Sequence, residues 1–157
     1  MKHTITTLLL LLLCTIVHTQ TYIYEKDGRY INDILLNIED GEICEGNIHR
    51  WVDVQMTVTE DKIFQGYSTS VFDQLYRLED GQLFAGDSNF TSDILYTFKD
   101  GKIYQGDSTY LLDVLFTIED NKIYEGDQAI IFDLLYTVDG NISTAEIFAV
   151  LLIMGEL

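Results

Sequence analysis

The chain repeats itself six times at a strict interval of 20 residues, and this periodicity is the strongest constraint on its fold. An aspartate returns at every interval, at Asp33, Asp53, Asp73, Asp93, Asp113 and Asp133. Ten positions before each aspartate lies an aliphatic residue, at Ile23, Ile43, Ile63, Leu83, Ile103 and Ile123. Tandem repeats of this length bury their apolar faces against one another. The six units should therefore share one core.

Each repeat has the pattern of a β-hairpin. In residues 102–121, a short β-type run (102–105) is followed by a turn at Gly106 and a longer run (110–119). The longer run alternates, with one face formed by Leu112, Val114, Phe116 and Ile118. An alternation of period two favours a strand over a helix. No proline interrupts these runs, so every strand can donate its N–H groups.

Asp-Gly and related dipeptides predict two-residue hairpin turns, because both central residues of such turns need positive φ. They occur at Asp40-Gly41, Asp80-Gly81, Asp100-Gly101, Asp120-Asn121 and Asp139-Gly140. Glu60-Asp61 fits less well, and we expect a looser turn there. A two-residue turn at 120–121 fixes the hairpin register, placing Ile118 opposite Ile123 and Leu115 opposite Gly126.

Glycines and aspartates recur as structural positions. The glycine column comprises Gly46, Gly66, Gly86, Gly106 and Gly126. A glycine there leaves room for a large neighbour or permits a bend or bulge. We expect the repeated aspartates to accept hydroxyl hydrogen bonds from the adjacent strand. The register suggests the pairs Asp53 with Ser68, Asp73 with Ser88 and Asp93 with Ser108.

The repeats favour an antiparallel meander over a parallel β-helix. In a β-helix the repeated aspartates would stack about 4.8 Å apart. Each neighbouring pair would then repel by roughly 3.5 kcal/mol at an effective dielectric constant near 20. The predicted fold is therefore all-β, with six tandem 20-residue β-hairpin repeats in a curled or closed meander. An open sheet, a closed barrel and a petal arrangement all remain compatible with the pattern.

The repeat pattern ends in a short predicted helix. Residues 143–146 form a capping box, and residues 147–154 are almost entirely apolar. We expect this helix to cap the exposed apolar end or the interior of the repeats. Membrane insertion and helix-mediated dimerisation are the alternatives. The predicted division is a signal peptide (1–19), a six-repeat β domain (20–142), and a C-terminal helix and tail (143–157).

Residues 1–19 have the features of a secretory signal peptide cleaved before Gln20. Lys2 gives a basic start, residues 5–17 are mostly apolar, and Val17 and Thr19 lie where signal peptidase accepts modest side chains. Lipidation at Cys14 is an alternative that the bulky Leu13 disfavours. We therefore expect a secreted or extracytoplasmic protein, in the periplasm or at the cell surface.

Charge and cysteine content restrict the partners and the stabilising chemistry. The net charge is −17, and removal of Lys2 with the signal peptide makes it one unit more negative. This field repels nucleic acid and anionic membranes, so neither is an expected partner. Cys44 alone would remain after cleavage, which excludes an internal disulfide. It lies in the aromatic column of the repeats, where we expect a small buried hydrophobe.

The motifs around residues 100–107 and 120–127, Asp-Gly-Lys-Ile-Tyr-Gln-Gly-Asp and Asp-Asn-Lys-Ile-Tyr-Glu-Gly-Asp, resemble known short β-hairpin repeats. MORN repeats share the Ile-Tyr-x-Gly core. The chain also resembles the four-fold β-flower proteins, in which Ile-Tyr is followed by a turn and a strand ending near Asp-Gly, as in residues 23–41. The resemblance covers residues 23–140. It implies hairpin repeats and no particular activity.

The sequence contains no constellation that indicates catalysis. His49 is the only histidine after position 19, and we expect it at the surface rather than acting as a base. No phosphate loop, zinc spacing or nucleophile elbow occurs. We interpret the chain as a secreted, non-catalytic binding or structural module with an unknown protein or carbohydrate partner and no cofactor. Two alternatives are a calcium-stabilised adhesion protein, using Asp107 and its counterparts, and a membrane-associated protein held by the C-terminal helix.

Overall fold

The computed structural model describes residues 20–157, which form twelve antiparallel strands and one α-helix. The predicted signal peptide and Cys14 lie outside the described residues. The strands are β1 (Thr21–Glu25), β2 (Ile34–Glu39), β3 (Glu42–Glu45), β4 (Val54–Thr59), β5 (Lys62–Gln65), β6 (Gln74–Glu79), β7 (Gln82–Ala85), β8 (Ile94–Lys99), β9 (Lys102–Gln105), β10 (Val114–Glu119), β11 (Lys122–Glu125) and β12 (Leu134–Asp139); the helix α1 is Thr144–Met154. Neighbours in sequence are neighbours in the sheet, and β1 pairs with β12. The predicted meander is thus a closed barrel.

Two-residue turns set the register within the hairpins, as predicted. Phe116 pairs with Glu125 and Ile118 with Ile123 across β10 and β11. Both central residues have positive φ at 40–41, 80–81, 100–101 and 120–121. At Glu60-Asp61 only Glu60 has positive φ, yet β4 and β5 still pair up to the turn. That turn is therefore no longer than the others.

Each turn also connects one repeat to the next. The carbonyl oxygen of the second turn residue accepts a hydrogen bond from the following long strand. Gly41 accepts from the Val58 N–H at 2.8 Å, and Gly101 accepts from the Ile118 N–H at 2.7 Å. Every hairpin corner is thus fixed by a neighbour as well as by its own strands.

The prediction of a hairpin turn at Asp139-Gly140 is wrong. Strand β12 ends at Asp139, and Gly140, with φ of +126°, directs the chain towards α1. A Cβ on Gly140 would lie 2.5 Å from Oγ1 of Thr21, so only glycine fits beside β1. Asp-Gly reports the local conformation, whereas a hairpin also requires a following strand, and none follows here.

The longer strands begin later than the alternation predicts. A 3-10 helix precedes each of them, at Ile31–Asp33, Trp51–Asp53, Val71–Asp73, Thr91–Asp93, Leu111–Asp113 and Ile131–Asp133. Leu112 therefore does not share a face with Phe116 and Ile118; its side chain is 98% exposed. A register shift between Val114 and Phe116 then allows Leu115 to pack against the core.

Helix α1 fills the interior of the barrel. The recurring aliphatic residues are completely buried, as are Phe148, Ala149, Val150 and Leu151 of the helix, and all belong to one core cluster. A helix that is apolar on every side requires a completely apolar environment. Of the two predicted positions for this helix, the interior is the one observed. No helix among residues 20–157 has the length and apolar character needed to cross a bilayer.

The helix is anchored at both ends. At its start, the Ser143 hydroxyl accepts from the Glu146 N–H and the Glu146 carboxylate accepts from the Ser143 N–H, which is the predicted capping box. Just before it, Thr21 donates a 2.7 Å hydrogen bond to the carbonyl oxygen of Asn141. Beyond its end, the hydroxyl of Tyr136 donates a 2.7 Å bond to Glu156. The C-terminal segment is therefore tied to β1 and β12, the two strands that close the barrel.

Candidate binding surface

Six connections lie together at one end of the barrel. We call them connections 1 to 6; they are residues 26–33, 46–53, 66–73, 86–93, 106–113 and 126–133. Each one joins the end of a short strand to the start of the next long strand. Because consecutive strands run in opposite directions, the hairpin turns occupy the other end. We refer to the end formed by the connections as the connection rim.

A residue with positive φ begins every connection. In connections 2 to 6 it is the recurring glycine, and in connection 1 it is Lys26, with φ of 50°. The Gly106 N–H donates to the carbonyl oxygen of Leu95 at 2.8 Å, and Lys26 donates in the same way to Leu135. A Cβ on Gly46, Gly86, Gly106 or Gly126 would meet no atom within 4 Å, and on Gly66 only the Val54 carbonyl oxygen at 3.8 Å. Of the two roles proposed for this column, making room for a neighbour is wrong; the observed conformation is a bend.

The repeated aspartates hold the connections together internally. Each is the last residue of its 3-10 helix. In connections 3 to 5 it accepts a hydrogen bond at 2.5 to 2.6 Å from a serine five residues earlier, in the pairs Ser68–Asp73, Ser88–Asp93 and Ser108–Asp113. The predicted cross-strand pairs are therefore wrong, because the strand begins only after the aspartate.

The remaining aspartates occupy the same position with other partners. Asp33 accepts from the backbone N–H groups of Arg29 and Tyr30, and Asp53 forms an ion pair with Arg50 at 2.7 Å. Asp133 is the last residue of connection 6, which has Gln128 in place of the serine. Within residues 20–157, no group of three or more His, Cys, Asp or Glu side chains is arranged to hold a metal ion.

His49 of connection 2 forms a polar cluster with Glu42 and Cys44 of β3. The Sγ atom of the buried Cys44 lies 3.5 Å from Nδ1 of His49, and Nε2 of His49 lies 2.8 Å from a carboxylate oxygen of Glu42. His49 is thus packed against the sheet, and the prediction of a surface histidine is wrong. Burial raises the pKa of the Cys44 thiol, more than its hydrogen bond to the Arg50 carbonyl lowers it. A buried thiol with a raised pKa lacks the thiolate and the access that nucleophilic chemistry needs.

Apolar side chains are exposed in all six connections. The most exposed are Leu112, Phe72 and Phe132, at 98%, 94% and 91%. The others are Tyr30, Ile31, Ile48, Trp51, Val52, Tyr67, Val71, Phe90, Tyr110, Leu111, Ile130 and Ile131. Most of them lie in a 3-10 helix or directly before it, so the repeat places them around the whole rim. We call this set the apolar ring.

Acidic residues lie beside the apolar ring in connections 3 to 6. Connections 3 to 6 contain no Lys or Arg, and their acidic residues are Asp73, Asp87, Asp93, Asp107, Asp113, Asp127 and Asp133. Connections 1 and 2 differ, because Lys26, Arg29 and Arg50 offset their aspartates. Every connection therefore exposes at least one large apolar side chain, and four of the six connections carry a net negative charge.

Sequence reasoning missed the apolar ring. The aromatic column of the repeats, which shares its position with Cys44, is buried at Phe64, Phe84, Tyr104 and Tyr124 and is separate from the ring. The signal for the ring was present in the two or three residues before each repeated aspartate. The apolar alternation of the strand continues through these residues, so the pattern predicts a strand there rather than a 3-10 helix.

The fold and the rim together define a radially symmetric β-hairpin repeat protein whose barrel encloses a helix. A family model described as "6-fold beta flower protein" matches residues 20–151, which is most of the chain. The protein therefore belongs to the six-fold β-flower family. The resemblance to flower-type hairpin repeats was right in kind, although the symmetry is six-fold rather than four-fold. No curated protein and no solved structure is significantly similar to the chain.

Proposed function

We propose that this protein is a secreted module that binds a partner through its connection rim and catalyses no reaction. The observation that carries the proposal is the apolar ring. Soluble proteins rarely expose large apolar patches unless these meet a protein, a ligand or a membrane. The same side chains could have been polar without affecting the barrel, because they are outside its core.

Repetition supports a binding role over catalysis. An active site needs one nucleophile, base or metal in a singular arrangement. The rim instead repeats a similar short element: an exposed apolar pair directly precedes the aspartate in connections 2, 3, 5 and 6. Such a surface suits recognition by shape and charge. Its six-fold repetition provides a broad contact area rather than one deep pocket.

Dye binding tests whether the rim is an adhesive apolar surface. The variant Phe72→Ser/Leu112→Ser/Phe132→Ser, which we call the rim variant, removes the three most exposed apolar side chains without changing the charge. We expect wild-type residues 20–157 to enhance the fluorescence of the neutral dye Nile red, and the rim variant to lose most of that enhancement. Equal circular dichroism spectra would show that the fold is intact. Undiminished dye fluorescence in a folded rim variant would contradict the proposal.

Export is tested separately. In a host with Sec-dependent secretion, we expect the full chain to appear outside the cytoplasm with Gln20 at its N-terminus. Leu10→Arg, which interrupts the apolar run of residues 5–17, should abolish export because the signal sequence needs a continuous apolar region. N-terminal sequencing of the fractions decides the matter. A chain that keeps Met1 and stays in the cytoplasm would refute secretion.

A further inference from the structure

We propose that the partner of the connection rim is a cationic amphipathic polypeptide segment, with apolar side chains interleaved with Lys or Arg. This inference rests on the proposed function, and it names the chemistry of the partner. Its basis is the combination of the apolar ring with the acidic residues of connections 3 to 6.

The apolar and acidic side chains are neighbours in sequence, so a single peptide segment can contact both kinds at once. In connection 5, the exposed Leu111 and Leu112 directly precede Asp113, and in connection 6 the exposed Ile131 and Phe132 precede Asp133. A segment that buries apolar side chains on one connection therefore brings its neighbouring side chains close to a carboxylate. Basic side chains would gain most from that position, because they add charge attraction to a hydrogen bond with the carboxylate.

The carboxylates are already held in place before a partner binds. Ser108 donates to Asp113, and the same serine accepts from the Tyr110 N–H at 3.1 Å. Ser88 and Asp93 repeat this arrangement with Phe90. A preorganised charge loses little conformational freedom on binding, so more of the attraction contributes to affinity.

The negative charge of the rim disfavours two other occupants, a second copy of this chain and an anionic membrane. A second copy would place two rims of the same sign, on chains of charge −17, against each other. An anionic bilayer would be repelled for the same reason. Connections 1 and 2 would offer apolar contacts but no net negative charge, because Lys26, Arg29 and Arg50 balance their aspartates and two of these cations are paired, Arg50 with Asp53 and Arg29 with Asp27. The segment should therefore lie across connections 3 to 6.

The test uses three synthetic amphipathic helical peptides that share their leucines and carry lysine, glutamine or glutamate on the polar face. Binding to residues 20–157 is measured by fluorescence anisotropy at low and high salt. We expect the lysine peptide to bind best and to weaken with salt. The rim variant should lose more than about tenfold in affinity, since it truncates three apolar side chains at the centre of the proposed contact.

A matched pair of charge variants separates specific from general attraction. Asp107→Asn/Asp113→Asn lies on the rim, and Glu119→Gln/Asp120→Asn lies at a hairpin turn on the other end; both remove two negative charges. The rim pair should weaken the lysine peptide by up to about fivefold per aspartate. The turn pair should have no such effect. Equal losses of affinity for the lysine peptide in both charge variants would overturn the proposal. So would a rim variant that binds this peptide as tightly as the wild type does.

Two further outcomes would overturn the partner class while leaving the rim as a binding surface. One is rim-dependent binding of the glutamine peptide or of phosphatidylcholine vesicles as tight as that of the lysine peptide. The other is a concentration-dependent dimer of the wild type that the rim variant lacks. If no probe binds in a rim-dependent way and no such dimer forms, the proposed function fails together with the inference.

Discussion

Two kinds of glycine recur in this protein, and both have positive φ. Gly41 and its counterparts lie in hairpin turns pressed against the next repeat, where a Cβ on Gly41 would be 2.2 Å from the carbonyl oxygen of Val58. Gly106 and its counterparts begin the connections in open space. Lys26 takes the same conformation in connection 1, which shows that a side chain can be accommodated there.

The two kinds should respond differently to alanine. Gly106→Ala should cost about 1 to 2 kcal/mol of unfolding free energy, the cost of a non-glycine residue in the left-handed region. Gly41→Ala should cost about 1 to 3 kcal/mol more, because the added methyl must displace backbone. Urea denaturation measures both values, and Gly106→Asn should recover part of the loss. Equal losses at the two positions would contradict this account.

At the residue scale, the sequence predicts the turns and the hairpin register, but it does not predict which serine bonds to each repeated aspartate. The length of the turns predicts the register of the hairpins, and the sequence shows the glycine column without distinguishing a bend from room for a neighbour. The partner of Asp93 was misplaced because the choice between Ser88 and Ser108 depends on where β8 begins. That boundary is set by a 3-10 helix that no alternation of apolar residues reveals.

Helix α1 is the element on which the barrel depends most. The sequence predicted its start through the capping box and its apolar character, and it left its position open between the apolar end and the interior of the repeats. Helix α1 has no polar face, and this property determines that it lies in the interior of the barrel. Strand pairing alone would leave an apolar cavity, and the buried side chains of α1 occupy it.

Two phenylalanines provide a matched test of this dependence. Phe148→Ala removes a completely buried side chain and should cost about 3 to 5 kcal/mol, a large fraction of the stability of a domain. Phe72→Ala removes a side chain that is 94% exposed and should change the unfolding free energy by less than about 0.5 kcal/mol. Thermal and urea unfolding measure both. Similar losses of unfolding free energy in Phe148→Ala and Phe72→Ala would show that α1 is not the centre of the core.

The contact between Tyr136 and Glu156 should make stability sensitive to alkali. Burial, with a contribution from Glu156, raises the pKa of Tyr136 above its ordinary range. The folded state therefore keeps this proton to higher pH than the unfolded state. The resulting stabilisation is complete below the unfolded pKa of about 10 and is lost as the pH rises above it.

Tyr136→Phe should accordingly be less stable than wild type at neutral pH, by about 1 kcal/mol for the lost hydrogen bond. Its stability should also fall less steeply than that of wild type above pH 10. Tyr110→Phe, at an exposed position of the rim, should follow the wild-type curve. Urea unfolding at a series of pH values decides the question, and parallel curves for Tyr136→Phe and wild type would contradict it.

At the scale of the whole molecule, the seam between β1 and β12 turns a row of hairpins into a ring. Residues 22–25 pair with residues 136–139. The Thr137 hydroxyl donates a 2.6 Å bond to the carbonyl oxygen of Lys26, 111 positions away. The all-β class and the six repeats could be predicted from the sequence. Closure could not, because strand number alone does not fix the curvature of a sheet.

Removal of residues 20–25 should open this ring. The edges of β2 and β12 would then be unpaired, and exposed edges recruit strands from other molecules. We expect the shortened protein to associate in size-exclusion chromatography with light scattering. A synthetic peptide of residues 20–26 should restore a discrete species by replacing the strand. A monomeric shortened protein that is indifferent to the peptide would contradict the role of the seam.

The interior position of α1 has a consequence for how the molecule is made. The helix follows every strand in the chain, so five complete hairpins emerge during synthesis before anything can fill the space between them. Contacts that join such distant segments form slowly. Unlike a linear solenoid, which can grow unit by unit, this ring should acquire its structure in one late, cooperative event.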